Sequence, residues 1–412
     1  MKILHTADLH IGQIIYQYYE RADEHIYFFR QLEDYVDSLA PDLLIVAGDV
    51  FDIPQPSARY RRIFTEAFVR IRRLRPEMAI VIIAGNHDSP SRMEAESPIW
   101  ELANAKVVGT PPPLNYQDRP GWEEDFIMRL PAGYVIALPY MNSERSDVAR
   151  AIQEYIAGEN HDGLPVVMTG HLAVTGNDFT GHPEEIGTLR TTDLEKLGEG
   201  YDYLALGHIH RPQTLGHPED SFMEEAVYPP PVARYSGSAL HVSCDETFPH
   251  SISFVETGGR GKPVTLRILP LRQLRHFVTL PLKGEAFDNQ KKIMKELKKY
   301  AGCADSVYIR LRVKEATDLS SDFNNAVYAL LEQEGKDLRY NPKILWERGE
   351  DCEETEKSTP LHEIQVEEIQ QISDPFKFIE MTAERYPALN IPALKDAFRE
   401  IELEIQSMNN ED

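Results

Sequence analysis

The chain has 412 residues, too many for one ordinary core, so two or three domains are expected. Its 42% hydrophobic and 27% charged residues match a soluble globular protein, and no apolar run approaches the roughly 20 residues of a membrane span. A net charge of −24 argues against a protein that holds nucleic acid by bulk positive charge alone.

From the N-terminus, strand-like and helix-like patterns alternate. The strand Lys2–His5 is followed by an amphipathic helix over Arg21–Leu39, and the strand Asp42–Ala47 by a helix over Ser57–Leu74. A strand over Ala79–Ala84 precedes a helix over Arg92–Ala105. A strand over Tyr134–Leu138 precedes a helix over Ser143–Ile156, and the strands Val166–Thr169 and Tyr201–Leu206 follow. This alternation predicts an α/β core of apolar sheets flanked by helices. The stretches GTPPPLNYQDRPGW and GHPEDSFMEEAVYPPP read as loops. Short strands are expected at Ala233–Ser236 and Ser251–Val255.

One helix is strongly basic, RYRRIFTEAFVRIRRLR over Arg59–Arg75. Tyr60, Ile63, Phe64, Ala67, Phe68, Ile71 and Leu74 fall on one face, Arg59, Arg62, Arg70 and Arg73 on the other. The arginine face either pairs with nearby acids or meets a DNA backbone or a second copy.

Three domains follow from this pass. Residues 1–270 form the α/β domain. Residues 271–346 read strand (Phe277–Leu282), helix (Asp288–Tyr300), strand (Val307–Val313), helix (Ser321–Glu334) and strand (Lys343–Trp346), a small α+β domain. Residues 347–412 hold an acidic linker, ERGEDCEETEKSTP, and a helical segment. In that segment Ile391, Leu394, Phe398, Ile401, Ile405 and Met408 recur at spacings of three and four. Half of the excess negative charge lies in Trp346–Asp412, with 18 acidic and 6 basic residues. Cys244, Cys303 and Cys352 are too scattered for a disulfide framework or a zinc ribbon. The opening MKILHTADLH carries His5 and Asp8 where a signal peptide needs an apolar core. A cytoplasmic protein is expected.

Five strands end alike: an apolar run, a small residue, then a metal-type ligand. Ala7 precedes Asp8, with His10 two further on; Gly48 precedes Asp49; Gly85 precedes Asn86; Gly170 precedes His171; Gly207 precedes His208, with His210 two further on. Glycine lets the chain turn sharply and lets backbone approach a ligand. Parallel strands present their C-terminal ends on one edge, which would gather all seven residues in one crevice. Two carboxylates, an amide and four imidazoles, with no thiolate, suit Mn²⁺, Fe²⁺ or Zn²⁺. Seven ligands suit two ions about 3.5–4 Å apart, bridged by Asp49, a centre suited to phosphoryl displacement. His5, inside a strand and without this punctuation, reads as structural.

D-x-H, GD, GNHD, GH and GHxH in this order are the motifs of the calcineurin-like metallophosphoesterases, which the chain resembles. MKILHTADLHIG, GDVFD and YSGS (Tyr235–Ser238) narrow the resemblance to the SbcD-like, Mre-type double-strand-break repair nucleases. The resemblance is strongest up to residue 245 or so. It implies a phosphoesterase core, a small capping domain and a C-terminal helical segment. It also implies that Asp8, His10, Asp49 and His210 hold one ion and Asp49, Asn86, His171 and His208 the other, most often Mn²⁺. His87 would be the catalytic imidazole, off the metal, placed to donate a proton. Asp88 would orient His87 or cap the loop. Relatives often carry a second His at the end of the GD-x-F motif; this chain has Asp52, to which only a support role carries over. His241, Ser236 and Ser238 are weaker candidates for the site rim.

The activity implied is 3′→5′ exonuclease on duplex DNA ends and endonuclease on hairpins and single strands. The implied partner is an SMC-like ATPase, SbcC, whose coiled-coil base would receive the C-terminal segment. A homodimer is compatible with the resemblance. The competing readings are a small-molecule phosphodiesterase on the same centre, against which the residues beyond 270 weigh, and a non-catalytic scaffold protein, against which the intact ligand set weighs.

Overall fold

In a computed structural model of the chain, residues 1–347 are described except 17, 142–144, 146, 181–190 and 305. They lie within one unit, Met1–Arg348. The expected acidic linker and helical stripe lie outside the described residues.

Alternation in the first strands decides the layering. In Leu43–Ala47 and Ala79–Ile83 every residue is buried, so both faces must be covered. Leu43, Ile45, Val81 and Ile83 face one core; Leu44, Val46, Ile80 and Ile82 face another. Successive side chains of a strand point to opposite faces, so one strand feeds both cores. On the outer side, Phe28, Phe29, Leu32 and Val36 of the helix Ala22–Leu39 pack with Phe64, Phe68 and Ile71 of the helix Ala58–Leu74. On the inner side lies a second sheet, backed by the helix Asp147–Glu159.

The first sheet has seven strands in the order Glu225–Tyr228, Val264–Pro270, Ser251–Thr257, Lys2–Thr6, Leu43–Ala47, Ala79–Ile83, Ala105–Val108. The four from Lys2–Thr6 onward are mutually parallel. The second has six: Gln213–Thr214, Val232–Tyr235, Tyr203–Gly207, Val166–His171, Gly133–Leu138, Ile127–Leu130. Its four middle strands are parallel.

The helix expected over Arg92–Ala105 is instead two short helices, Pro90–Glu94 and Ser97–Leu102, followed by the edge strand Ala105–Val108. Pro98 cannot continue a helix begun at residue 90, and Asn104 turns the chain with φ 51°. On the basic helix, Arg59, Arg61, Arg62 and Arg70 pair with Glu20, Glu96, Glu66 and Glu33. The arginines are therefore largely answered by nearby acids, and Leu74, expected inside, is 41% exposed.

Residues 276–347 build a separate four-stranded sheet with its own apolar cluster around Ile293, Leu297, Ile309, Leu311 and Val327. Its strands are parallel, reached through the helices Gln290–Cys303 and Phe323–Gln333. A strand not anticipated, Asp337–Tyr340, pairs with Ser306–Lys314. This sheet meets the α/β core at buried Glu24. One of its oxygens accepts from Tyr308 Oη–H at 2.6 Å and Arg275 at 3.1 Å, the other from Arg21 at 2.7 Å. A buried charge is tolerable only when paired in this way.

Candidate metal centre

The five punctuated strand ends converge, but from two sheets rather than one. Lys2–Thr6, Leu43–Ala47 and Ala79–Ile83 deliver Asp8, His10, Asp49 and Asn86; Val166–His171 and Tyr203–Gly207 deliver His171, His208 and His210. Four of these seven residues sit in left-handed backbone: Asp8 (φ 50°), His10 (43°), Asp49 (47°) and His208 (95°). Each such conformation costs about 1–3 kcal/mol and persists only where the surroundings over-determine it. Here neighbouring loops lock one another: Asp8 N–H donates to the Gly48 carbonyl (3.1 Å) and His10 N–H to the Asp49 carbonyl (3.0 Å).

The glycines are there for space. A Cβ on Gly85 would lie 2.1 Å from Asp49 Oδ1, and one on Gly48, which also has φ 88°, 2.1 Å from His171 Nδ1. One on Gly207 would lie 1.9 Å from the Ala47 carbonyl oxygen.

The candidate ligand atoms face one another closely. Asp49 Oδ2 is 3.4 Å from His171 Nε2 and 3.8 Å from His10 Nε2. Asn86 Oδ1 is 3.0 Å from both His171 Nε2 and His208 Nδ1. His10 Nε2 is 3.2 Å from His210 Nε2. Asp8 Oδ1 accepts the His208 backbone N–H at 2.9 Å.

This arrangement fits divalent metal. His171 Nδ1 faces the Ala47 carbonyl at 2.8 Å and must donate to it. Its Nε2 then points a lone pair at an amide oxygen and a carboxylate oxygen, three acceptors with a cation's place among them. Asp8 Oδ2 is buried without a hydrogen-bond partner, a cost that a cation removes. Without metal, imidazolium takes that part. Burial opposes charging His171, but Asp49 beside it lifts the ring to about 9. Burial would likewise raise Asp49, and His171 with His10 instead holds it well below the usual carboxylate range.

His87 stands beside the candidate ligands. Its backbone N–H donates to Asp49 Oδ1 at 2.9 Å, and its ring lies edge-on to His10 with centroids 4.9 Å apart. Nδ1 is 2.8 Å from the Asp52 carbonyl and must donate to it, which turns Nε2 to the other side. The Asp52 side chain lies 3.3 Å from His10 Nδ1. Asp88 is buried, and its oxygens accept from the backbone N–H groups of Gly85, Val50 and Phe51 at 2.9, 3.0 and 2.9 Å. It staples the Asp49 loop to the Asn86 loop, and burial followed by the Asp49 charge pushes it up to about 6.

Ser236 and Ser238, weighed as rim residues, are fully buried, and His241 turns its Nδ1 inward to His250 Nε2 at 2.9 Å. Ser238 and His241 belong to the support of His210. Its Nδ1 lies 2.9 Å from Glu246, a buried carboxyl with no local sequence signal. Burial pushes His210 down to about 4, which keeps it a neutral imidazole, the form able to bind a metal. Tyr140 was also missed. Tyr140 is 40% exposed, its ring lies 6.1 Å from the rings of both His171 and His208, and its N–H donates to the Ala84 carbonyl at 2.8 Å. His5, read as structural, is buried between Tyr203 Oη (2.8 Å) and the Leu206 carbonyl (3.2 Å).

A two-sheet α/β core whose strand ends gather carboxylates, an amide and imidazoles defines a metal-dependent phosphoesterase. The calcineurin-like phosphoesterase family model matches residues 1–212, and the chain belongs to that family. Among curated proteins it is similar to the SbcD component of the SbcCD nuclease of Rhodobacter capsulatus, 29% identical over 69% of this chain and 73% of that one. The SbcD components of the Bacillus subtilis and Escherichia coli K12 SbcCD nucleases are each 29% identical over 62% and 64% of this chain, and each match spans 66% of the relative. A solved dimetal phosphatase from Danio rerio is 12% identical with a TM-score of 0.33, covering 65% of this chain and 98% of that one. Among the described residues no helix is long and apolar enough to cross a membrane.

Proposed function

We propose that this chain is an SbcD-like DNA nuclease, a 3′→5′ exonuclease on duplex ends and an endonuclease on hairpins and single strands, with two Mn²⁺ ions in its centre. Asp8, His10, Asp49 and His210 would hold one ion; Asp49, Asn86, His171 and His208 the other. Bound there, the ions would supply an activated water and neutralise charge on the phosphodiester. The observation that carries the reading is Asp49 Oδ2, which faces both imidazole sets, His171 at 3.4 Å and His10 at 3.8 Å.

The chain's own residues do the rest. His87 is aimed by its Nδ1–H bond to the Asp52 carbonyl, so that Nε2 can deliver a proton to the departing 3′-oxygen. Asp88 keeps the two ligand loops together through its backbone bonds. Residues 271–346 act as a cap over the nuclease domain. An extra sheet of this size favours a polymer substrate over a small phosphodiester. The relatives are named as one component of a two-component nuclease, which supports a partner, an SMC-like ATPase of the SbcC type in the cytoplasm, with residues 347–412 as the docking segment.

The test is cleavage of blunt duplex and hairpin DNA with Mn²⁺, with and without the ATPase and ATP. Cleavage of both, stimulated by the partner, is expected. Hydrolysis of bis(p-nitrophenyl) phosphate or cyclic nucleotides without DNA cleavage would favour the small-molecule reading. A chain ending at Glu350 should no longer bind the ATPase; full affinity would exclude the docking role.

A further inference from the structure

Around His210 the buried polar groups form a connected set that the reaction itself does not use. Glu246 is 2% exposed. Its Oε1 accepts from His210 Nδ1–H at 2.9 Å, and its Oε2 accepts from Val242 N–H at 2.9 Å and Ser238 Oγ–H at 3.4 Å. Ser238 in turn donates its N–H to the His210 carbonyl at 3.0 Å. The ring and the backbone of His210 are thus held from one loop.

That loop is clamped by two further histidines. His250 Nδ1 is 2.9 Å from the Ser238 carbonyl and donates to it, which leaves Nε2 to accept from His241 Nδ1–H at 2.9 Å. Arg21 donates to the His241 carbonyl at 2.6 Å. The set meets the proposed ligands through His210, on the side of the ring away from Nε2.

Resting on the reading of His210 as a metal ligand, we propose that Glu246 is a positioning residue. By accepting from Nδ1, it fixes the tautomer and ring angle that turn His210 Nε2 toward the ion. His250 and His241 hold the Ser238–Glu246 loop in the shape that makes this bond. A carboxylate on the far nitrogen also raises the basicity of the ligating one, and loss of such a partner weakens metal binding about 10- to 100-fold.

The test is Mn²⁺ binding to the full-length chain, by titration calorimetry and by metal content after equilibrium dialysis. The wild-type chain should take up two ions. Glu246→Ala should weaken one of them about 10- to 100-fold and leave the other unchanged. Glu246→Gln, which still offers an amide oxygen to Nδ1–H and preserves the fold if the alanine variant does not, should fall between. His250→Ala should weaken the same ion to a smaller extent. Wild-type affinity at both sites in Glu246→Gln and Glu246→Ala would overturn the proposal. So would a third ion lost on substitution, which would make Glu246, His241 and His250 ligands in their own right. A wild-type chain that takes up no Mn²⁺ removes the ligand reading itself, a result distinct from an altered ratio between variant and wild type.

Discussion

Replacing His87 by asparagine separates proton transfer from metal binding. What His87 gives the centre is its backbone N–H, which donates to Asp49 Oδ1 at 2.9 Å, and asparagine keeps that group. What the substitution removes is the ring whose Nδ1 is anchored 2.8 Å from the Asp52 carbonyl. A positioned general acid contributes about 10²- to 10⁴-fold, so the barrier for strand cleavage should rise by about 2.7–5.5 kcal/mol. Metal content, measured by mass spectrometry on the dialysed protein, should match the wild type. The rate on duplex DNA should fall by the full factor, because a departing 3′-oxygen needs a proton. The rate on bis(p-nitrophenyl) phosphate, whose phenolate leaves unprotonated, should fall far less. Equal losses on the two substrates would refute the proton-donor role, and loss of metal together with activity would make His87 part of the ligand set.

Asp49→Ala should abolish binding of both ions, because Oδ2 faces both imidazole sets; one ion retained at full occupancy in a calorimetric titration would exclude bridging. Tyr140→Ala should weaken single-stranded DNA binding by about 1–3 kcal/mol, the worth of one base stacked on an aromatic ring, and leave bis(p-nitrophenyl) phosphate hydrolysis unchanged; anisotropy titrations decide it. His5 is held neutral by burial and then by Arg234, with its pKa lowered from 6.5 to about 3. The unfolded chain therefore binds the extra proton first. Its contribution to stability is level above pH 6.5 and declines as pH falls toward 3, by about 2 kcal/mol at pH 5. Urea unfolding across that range should show the decline, and His5→Gln should make it shallower by about that amount; identical slopes would refute the burial argument.

The parts of the site legible in the sequence are those where chemistry and backbone geometry meet within two or three residues. Gly48, Gly85 and Gly207 are required because a Cβ would strike His171, Asp49 or the Ala47 carbonyl. Asp8, Asp49 and His208 each follow a small residue, Ala7, Gly48 and Gly207, where the chain turns left-handed. Such words report strand ends but not sheet membership, so the same pattern does not say that two sheets share the centre. Edge strands were harder for a related reason. Glu225–Tyr228 is half-exposed and lies in a loop-like, proline-flanked stretch, so neither burial nor alternation marks it. Glu246 was the least legible. It meets His210 from 36 positions away on a loop with no period, and its identity as support rests on burial that only the packed fold creates. A ligand's identity is therefore written locally, while its aim is written in distant residues. Substitutions at Glu246 or His250 should consequently disturb metal affinity without altering any motif by which the family is recognised.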